Sequence, residues 1–409
     1  MILIGGILVT EKRQSSRALI LFFTLTYTVS YITRVNYAAV ISEIVRSEGI
    51  SESLLSMALV GNFITYGAGQ ILSGFFGDRI SPKRLVQLGL SVTTLMNLMI
   101  PICHGPYQMA LVWWINGFAQ AFMWPPLVKL MLLTLSDKEY NTAALVVPCG
   151  GSVGSVIVYL VSPLLISLAG WRAVFVFSAV FGAVMTVLWS IICQNVTPAP
   201  SLPGDKTVAK SSVPLITPLI GAVMFAIVLQ GMLRDGVTTW MPTYVSETYS
   251  LGSEIAILTG VMLPIFAIIF SSLTSVVHKR FLKHPLVCAG AVFSLGGMAA
   301  GMIWLFGDAS PVISVAMFAL LTGCMHGTNL LLVCILPKYF KKHGNVSTMS
   351  GILNSSTYVG SAISTYGIAA LSQSLGWSFT VLIWVAIAFL GAGISFMSAK
   401  AWTVKYGKE

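Results

Sequence analysis

The sequence predicts an all-α integral membrane protein, with twelve transmembrane helices arranged as two halves of six. Of its 409 residues, 56% are hydrophobic and only 9% are charged, whereas a soluble domain carries about 25% charged residues. Apolar runs of roughly 20 residues recur along the whole chain, which is the length of a helix that crosses a bilayer and exceeds that of a barrel strand. One polar stretch with four prolines, 194–214, divides these runs into two equal sets.

Each apolar run is predicted to be one membrane span. The predicted spans of the first set are 17–41, 53–76, 85–103, 108–135, 142–168 and 171–193, and those of the second are 215–245, 253–277, 286–306, 310–337, 348–374 and 377–399. The predicted organisation is an N-terminal tail (1–16), an N-terminal half (17–193), a cytoplasmic linker (194–214), a C-terminal half (215–399) and a C-terminal tail (400–409). The apolar run 1–9 is short and precedes its basic cluster, so we expect a loose tail and no secretory signal.

The distribution of basic residues predicts the orientation of these spans. Most of the 23 lysine and arginine residues lie in the segments that share a side with the two termini, whereas the opposite side holds Arg46 and Arg172. Because cytoplasmic loops are enriched in lysine and arginine, both termini are predicted to be cytoplasmic. The net charge of +10 therefore reflects topology and does not indicate nucleic acid binding. We expect a bacterial inner (plasma) membrane.

Two arginines, Arg34 and Arg234, lie inside apolar spans. A cation at the centre of a membrane helix costs about 2.5–3.5 kcal/mol of insertion free energy, so we expect each arginine to have a functional or structural role that offsets this cost. Guanidinium stays charged and offers a planar fork of donors that matches phosphate or carboxylate oxygens. The one acid clearly within a span is Asp235, so the excess of cations predicts an anionic ligand. The alternative is a structural Arg234–Asp235 pair, which we expect to be awkward because successive helical residues point about 100° apart.

The two halves resemble each other weakly, which relates the two arginines. The segment AGWRAVFVFSAVFG (169–182) has a counterpart in LGWSFTVLIWVAIAF (375–389). Arg34 lies in span one and Arg234 in span seven, and these spans are equivalent under a six-plus-six repeat. We therefore expect one arginine from each half at a shared central site.

Polar side chains recur at helical spacing inside several spans and are predicted to line a wet cavity around both arginines. The further residues that we predict to contact substrate are Tyr27, Tyr31, Tyr66, Gln70, Asn116, Gln120, Gln230, Asn354 and Tyr358. For any single side chain of this kind, the alternative is a hydrogen bond between helices without a ligand.

Two further polar residues within spans, Lys129 and His326, leave alternatives open. Lys129 follows the Trp124-Pro125-Pro126 break in span four and is predicted to pair with Asp235 or with helix carbonyls, or to line the substrate path. His326 is either a pH-sensing or ligand-contacting group or a hydrogen-bonded packing residue. Together with Asp235, these residues are the candidates for coupling or for supporting the site. The six cysteines have no metal-ligand spacing, and we predict no metal and no cofactor.

The loop after span two carries the sequence Gly74-Phe-Phe-Gly-Asp78-Arg79-Ile-Ser-Pro-Lys83-Arg84. It resembles the signature loop of major facilitator transporters. Gly74 would let helices approach closely. The charged residues Asp78, Arg79, Lys83 and Arg84 are predicted to form a cytoplasmic gating latch. The alternative is a generic positive-inside loop. The resemblance implies the major facilitator fold, in which substrate binds near the bilayer midplane between the halves.

Over most of its length the chain resembles the organophosphate:phosphate antiporter family. The segments that carry this resemblance are YITRVNYA (31–38), YGAGQILSGFFGDRISPKRL (66–85), GFAQAFMWPPLVKLM (117–131) and LRDGVTTWMPTYV (233–245). The resemblance implies that Arg34 and Arg234 are the phosphate-binding arginines and that Tyr27, Tyr31 and Tyr66 line the cavity. The family's span seven ends in Trp-x-Pro-x-Tyr, and this chain matches that ending with Trp240, Pro242 and Tyr244.

Two departures from the family's glycerol-3-phosphate carrier bear on the cavity. Gln70 stands in place of a cavity lysine, and Gly151 stands in place of a histidine. We therefore expect a less basic and roomier cavity at these positions, and an organic group that need not be glycerol.

The sequence thus predicts a secondary active transporter that exchanges an organic phosphate ester for inorganic phosphate by alternating access, working as a monomer in the lipid bilayer. One alternative is a proton- or sodium-coupled symporter of a sugar acid or other carboxylate. Another is a sugar-phosphate sensor that does not transport. We predict no enzymatic activity, because no nucleophile with its base, metal cluster or phosphate-cradling glycine loop is evident in the sequence.

Overall fold

The computed structural model describes residues 3–4, 7–8, 15–194, 216–250 and 262–406. This part of the chain is almost entirely helical, and the predicted all-α class is confirmed. The exception is an antiparallel pair of two-residue strands in the N-terminal tail, β1 (Leu3–Ile4) and β2 (Ile7–Leu8). The predicted linker, apart from residue 194, and the beginning of the eighth predicted span lie outside the described residues.

Twelve α-helices are described, seven before the linker and five after it. The first seven are α1 (Ser16–Glu48), α2 (Glu52–Arg79), α3 (Pro82–Met99), α4 (Pro106–Gln120), α5 (Trp124–Thr134), α6 (Asp137–Ala169) and α7 (Arg172–Gln194). The others are α8 (Pro218–Tyr249), α9 (Met262–Arg280), α10 (Pro285–Phe306), α11 (Pro311–Asn329) and α12 (Val346–Tyr406). Short 3-10 turns follow α3 (Ile100–Ile102) and α10 (Gly307–Ala309), and α11 continues into a π-helical turn (Leu330–Ile335) and a 3-10 segment (Leu336–His343).

Ten helices in the described residues are long and apolar enough to cross a membrane. The two remaining predicted spans are helical as well. Span four is divided into α4 and α5 by a turn at 121–123, where Pro125 and Pro126 open α5, because proline lacks the N–H that would continue the preceding helix. Spans eleven and twelve are the two arms of α12, which Gly376 separates. All twelve predicted spans therefore have a helical counterpart.

The repeated Gly-Trp pair has the same structure in both halves. Gly170, before α7, has φ 77° and ψ 174°, and Gly376 has φ 79° and ψ 172°. The indole of Trp171 donates to Glu48 at the end of α1 over 3.1 Å. The indole of Trp377 donates to Glu247 near the end of α8 over 2.7 Å. Each half thus ties its first span to its last by the same contact.

We expect Gly376→Ala to lower the thermal stability of the protein. A φ of 79° with ψ of 172° is a backbone conformation that essentially only glycine adopts, and forcing a side chain into it costs about 1–3 kcal/mol. The melting temperature of the detergent-purified protein measures this effect. Gly393→Ala is the matched control, because Gly393 is helical and an added Cβ there would meet no atom within 4 Å. Equal melting temperatures for the two variants would contradict the expectation.

Candidate substrate-binding site

Arg34 lies in α1 among tyrosine rings. Its guanidinium carbon is 4.1 Å from the ring centroid of Tyr31 and 4.9 Å from that of Tyr66. Tyr27 packs beside Tyr31, with 5.2 Å between centroids, and Tyr358 packs edge-on to Tyr66 at 4.7 Å. None of the ion pairs formed within the described ranges involves Arg34. The aromatic faces stabilise the cation and leave its N–H groups without a carboxylate partner in that part of the chain.

Gly151 of α6 lies directly behind Tyr31. A Cβ added at Gly151 would lie 2.7 Å from the Tyr31 ring, which is closer than van der Waals contact allows. The expectation of a roomier cavity at this position is therefore wrong, because the ring of Tyr31 fills the space that the missing side chain leaves. Glycine at 151 determines where this tyrosine can lie beside Arg34.

Arg234 of α8 is held by the neighbouring Asp235. The Arg234 Nε lies 2.6 Å from Asp235 Oδ1, and Nη2 donates to Oδ2 over 2.7 Å. The expectation that this pairing would be awkward is wrong. The two side chains diverge at Cβ, but the arginine side chain is long enough to bend back and present its fork to both carboxylate oxygens.

The Arg234–Asp235 pair has further polar partners on two other helices. Arg234 Nη1 donates to Asn329 Oδ1 of α11 over 3.3 Å. The Ser361 hydroxyl of α12 donates to Asp235 Oδ2. The Arg234 side chain is 13% exposed and that of Asp235 is 33% exposed. The pair thus has polar partners on two other helices and is only partly exposed.

The structure brings the two arginines to one shared region. Tyr31 and Tyr358 are each within electrostatic range of both guanidinium groups. Arg34 and Tyr31 come from α1, whereas Arg234 and Tyr358 come from α8 and α12. The predicted cluster of two arginines with Tyr27, Tyr31, Tyr66 and Tyr358 therefore exists as a spatial unit, with members from both sets of six spans.

The amide side chains of Asn116 and Gln120 bond to neighbouring helices. The Asn116 amide donates to the Thr33 carbonyl over 3.3 Å and accepts from the Thr93 hydroxyl. Gln120 donates to the hydroxyls of Thr33 and Thr93 over 2.9 and 2.8 Å. Both amides are almost fully buried. Their contacts support the alternative of interhelical hydrogen bonding, and substrate contact stays a prediction for them.

Gln70 and Asn354 form an amide pair between α2 and α12. Asn354 Nδ2 donates to Gln70 Oε1 over 3.0 Å, and an added Cβ at Gly351 would meet the Gln70 carbonyl. This pair joins the two halves where their backbones approach closely. Gln230 instead donates to the Met325 carbonyl over 3.0 Å. For these three residues as well, substrate contact stays a prediction.

Sequence reasoning missed a buried amide network on the side of α1 away from the tyrosines. Asn36 Nδ2 donates to Asn97 Oδ1 over 2.7 Å and to the Ser178 hydroxyl over 2.9 Å. Asn97 in turn donates to the Thr33 carbonyl over 2.9 Å. The signal was present, because Asn36 and Asn97 are amides within apolar spans. Their network joins α1 to α3 and α7 and so orients the helix that carries Arg34.

His326 lines a cavity between α6, α9 and α11. Asn329, the partner of Arg234, lines the same cavity together with Cys149, Ser152 and Ser271. The cavity therefore borders the Arg234–Asp235 pair. Whether His326 contacts ligand or only packs stays open between the two predicted alternatives.

Asp78 of the signature loop lies at the N-terminus of α12. Its carboxylate accepts from the backbone N–H groups of Ser347 over 3.1 Å and Thr348 over 2.7 Å. The positive end of a helix favours a carboxylate at this place. An added Cβ at Gly74 would lie 2.6 Å from the Ser347 carbonyl, so glycine allows the close approach that the sequence predicts.

Lys129 of α5 forms an ion pair with Asp78. Its Nζ lies 3.3 Å from Asp78 Oδ1 and donates to the Gly77 carbonyl over 2.9 Å. The predicted pairing of Lys129 with Asp235 is wrong, whereas the predicted bond to a helix carbonyl is confirmed. Lys129 lies in α5, which begins after the break at 121–123, and its contact with Asp78 of α2 is one that residue spacing alone does not reveal.

The other basic residues of the predicted latch make separate contacts. Arg79 stacks on Phe75, with 3.3 Å from guanidinium carbon to ring centroid, and donates to the Phe75 carbonyl over 3.0 Å. Lys83 and Arg84 lie in the first turn of α3, where the Lys83 carbonyl accepts from the indole of Trp189 over 3.0 Å. A gating role for these three residues stays a prediction.

Comparison with known proteins agrees with this architecture. Residues 23–333 match the family model of the Major Facilitator Superfamily. The chain is 22% identical over 411 residues to the membrane sensor protein UhpC of Escherichia coli (strain K12), covering 93% of this chain and 90% of that protein. It is 23% identical over 313 residues to the glycerol-3-phosphate transporter of Bacillus subtilis (strain 168), covering 70% of each. The crystal structure of the transporter FucP in the outward conformation matches with a TM-score of 0.74 at 12% identity, covering 95% of this chain and 99% of that chain. The predicted fold and the predicted resemblance to organophosphate:phosphate antiporters are confirmed.

Proposed function

Because this chain belongs to the Major Facilitator Superfamily, we propose that it is a secondary active transporter that exchanges an organic phosphate ester for inorganic phosphate. The observation that carries this proposal is Arg34, a permanent cation among tyrosines without an ion-pair partner in the described ranges. A cation of this kind within a membrane span is a functional group by default. Similarity to a glycerol-3-phosphate transporter favours phosphate as the group that it binds.

In the proposed mechanism the phosphoryl group bridges the two halves. Arg34 would hold it from α1 and Arg234 from α8, each through the fork of its guanidinium. Binding neutralises the unpaired positive charge of Arg34, and the shared phosphoryl group draws the halves together around the substrate. Rocking of the halves then exposes the site to the other side of the membrane. An empty site leaves Arg34 without an anionic partner and closes poorly, which makes exchange obligatory.

The tyrosines have a supporting role in this proposal. Tyr31 and Tyr66 hold the Arg34 guanidinium against their faces, so its direction is set before substrate arrives. Tyr358 lies in range of both arginines and offers a hydroxyl to the phosphoryl oxygens. Such preorganisation lowers the entropic cost of ordering these side chains when substrate binds.

The topology predicted from the basic residues is part of the proposal. We place both termini in the cytoplasm, which puts the Asp78 latch at the cytoplasmic end. The protein is a multi-pass membrane protein, and a bacterial inner membrane and a functional monomer are the setting that we propose for it.

A sensor is the second candidate. The similarity to the membrane sensor protein UhpC extends over 93% of this chain. A sensor would use the same arginines to bind a sugar phosphate but would not carry it across. Flux therefore separates the two candidates, because both bind phosphate and only a carrier turns over.

The proposed function is tested by phosphate exchange in proteoliposomes. Vesicles that contain the purified protein are loaded with phosphate, and uptake of labelled external phosphate is followed without any ion gradient. We expect uptake that requires internal phosphate and is inhibited by sugar and glycerol phosphates. Uptake that needs a proton gradient and no internal phosphate would instead indicate a symporter, and saturable binding without flux would indicate a sensor.

A further inference from the structure

Asp235 occupies the fork of Arg234 as a ligand would. Its two oxygens accept from Nε and Nη2 over 2.6 and 2.7 Å, which is the bidentate geometry that a phosphate or carboxylate ligand adopts on arginine. One of the two arginines is thus already neutralised by the protein, whereas Arg34 is not. A phosphoryl group that reaches both arginines must first displace this carboxylate from Arg234.

The surroundings of Asp235 allow such a displacement. Ser361 of α12 already donates to Asp235 Oδ2, so the carboxyl group keeps a partner when Arg234 leaves it. The Asp235 side chain is 33% exposed, so the surrounding helices do not enclose it completely, and the proposal requires that water reaches it. These two features distinguish it from Asp78, whose side chain is 4% exposed and bonded to two backbone N–H groups.

The charged and titratable groups around this pair are few. From α11 and the π-helical turn, His326 and Cys334 face it. From α12, Tyr358 faces the Arg234–Asp235 pair. Tyr358 also interacts electrostatically with Tyr31 and Arg34 of α1, so these two residues lie on the other side of it. Among these groups Arg34 is the one permanent cation besides Arg234, so the site carries one net positive charge while Asp235 is ionised.

We propose that Asp235 is an internal counter-anion that competes with substrate for Arg234 and takes up one proton when a dianionic phosphate binds. This rests on the proposed function. A dianion that binds to a site of charge +1 leaves a net charge of −1, which is costly within a membrane. One proton from the water on the open side, added to the released Asp235 carboxylate, restores neutrality. A monoanion reaches neutrality without that proton.

The proposal makes Asp235 the residue that fixes how many protons enter the site with each phosphoryl group. A phosphate ester has its second pKa near about 6, so at neutral pH it is mostly a dianion. The site then accepts either the dianion with a proton on Asp235 or the monoanion alone. In both cases one proton accompanies each phosphoryl group into the site, and a substrate that is a permanent dianion still binds because Asp235 supplies the place for the proton.

The test is calorimetry of inorganic phosphate binding to the purified full-length protein at about pH 8, in two buffers with different heats of ionisation. The difference in heat measures the protons taken up per phosphate. We expect close to one proton for the natural protein and for Asp235→Glu. For Asp235→Asn we expect no proton uptake and about tenfold tighter binding, because the competing charge is gone.

Each outcome separates this proposal from the proposed function. If the natural protein binds phosphate and takes up no proton, the role of Asp235 is wrong and the phosphate site stands. If Asp235→Asn takes up the same proton with the same affinity, the proton goes to the phosphate or to another group such as His326, and the role of Asp235 is again wrong. If the natural protein binds no phosphate, the proposed function fails, and the counter-anion role fails with it. The natural protein alone decides the first and third outcomes, so they do not depend on the folding of a variant.

Discussion

Arg34→Lys should abolish phosphate exchange, with at least about a hundredfold loss of rate, which corresponds to about 2.7 kcal/mol. Lysine keeps the positive charge but loses the planar fork and the stacking on aromatic faces. Arg34 uses both properties, because its guanidinium lies 4.1 and 4.9 Å from two tyrosine rings. The initial rate of labelled phosphate uptake into phosphate-loaded proteoliposomes measures the effect.

The matched control for this prediction is Arg46→Lys. Arg46 lies near the end of the same helix, is 78% exposed, and pairs with Glu43 over 2.8 Å. Exposed pairs of this kind contribute little, so we expect the exchange rate of this variant to equal that of the natural protein. A normal melting temperature for Arg34→Lys shows that the fold is intact. An exchange rate for Arg34→Lys close to that of Arg46→Lys would mean that a point charge suffices and that the fork has no role.

Asp78→Asn should lower phosphate exchange by about tenfold or more. The side chain accepts two backbone N–H bonds from the start of α12 and pairs with Lys129. Removing one partner of a buried ion pair costs about 3–5 kcal/mol, because the other charge stays buried without compensation. This cost falls on the conformation in which α2 and α12 touch, so the population of that conformation decreases and the transport cycle slows.

A double-variant cycle with Lys129→Gln tests the cause of that loss. If the Asp78–Lys129 pair carries the effect, the loss in Asp78→Asn with Lys129→Gln will be smaller than the sum of the two single losses. Asp137→Asn, an exposed position in the first turn of α6, is the control for an acid-to-amide change on the same predicted side. Fully additive losses would show that Lys129 acts independently of Asp78.

The helices and the two arginines could be predicted from the sequence because both are local signals. A run of apolar residues specifies a spanning helix wherever it lies, and an arginine within such a run is costly whatever its neighbours are. The Gly-Trp repeat belongs to the same class, because glycine is needed for the φ of 77° and 79° at positions 170 and 376. The signature loop is also a local signal, because it consists of glycines and charged residues at a fixed spacing.

The partners of these residues were decided by the tertiary structure. Periodicity shows which face of a helix is polar, but not which helix covers that face or how a long side chain bends. For this reason the bond from Lys129 to Asp78 could not be predicted, and neither could the filling of the space at Gly151 by Tyr31. The same limit applies to Asn116 and Gln120, whose amides meet threonines of neighbouring helices.

Asp235 illustrates this division most clearly. The sequence places one acid beside Arg234 and predicts an excess of cations for an anion to neutralise. The fork-to-carboxylate contact at 2.6 and 2.7 Å depends on rotamers that Asn329 and Ser361 stabilise from two other helices. Residue types and their order therefore predicted an anion site, whereas the packing of α8, α11 and α12 decided that Asp235 occupies the fork of Arg234.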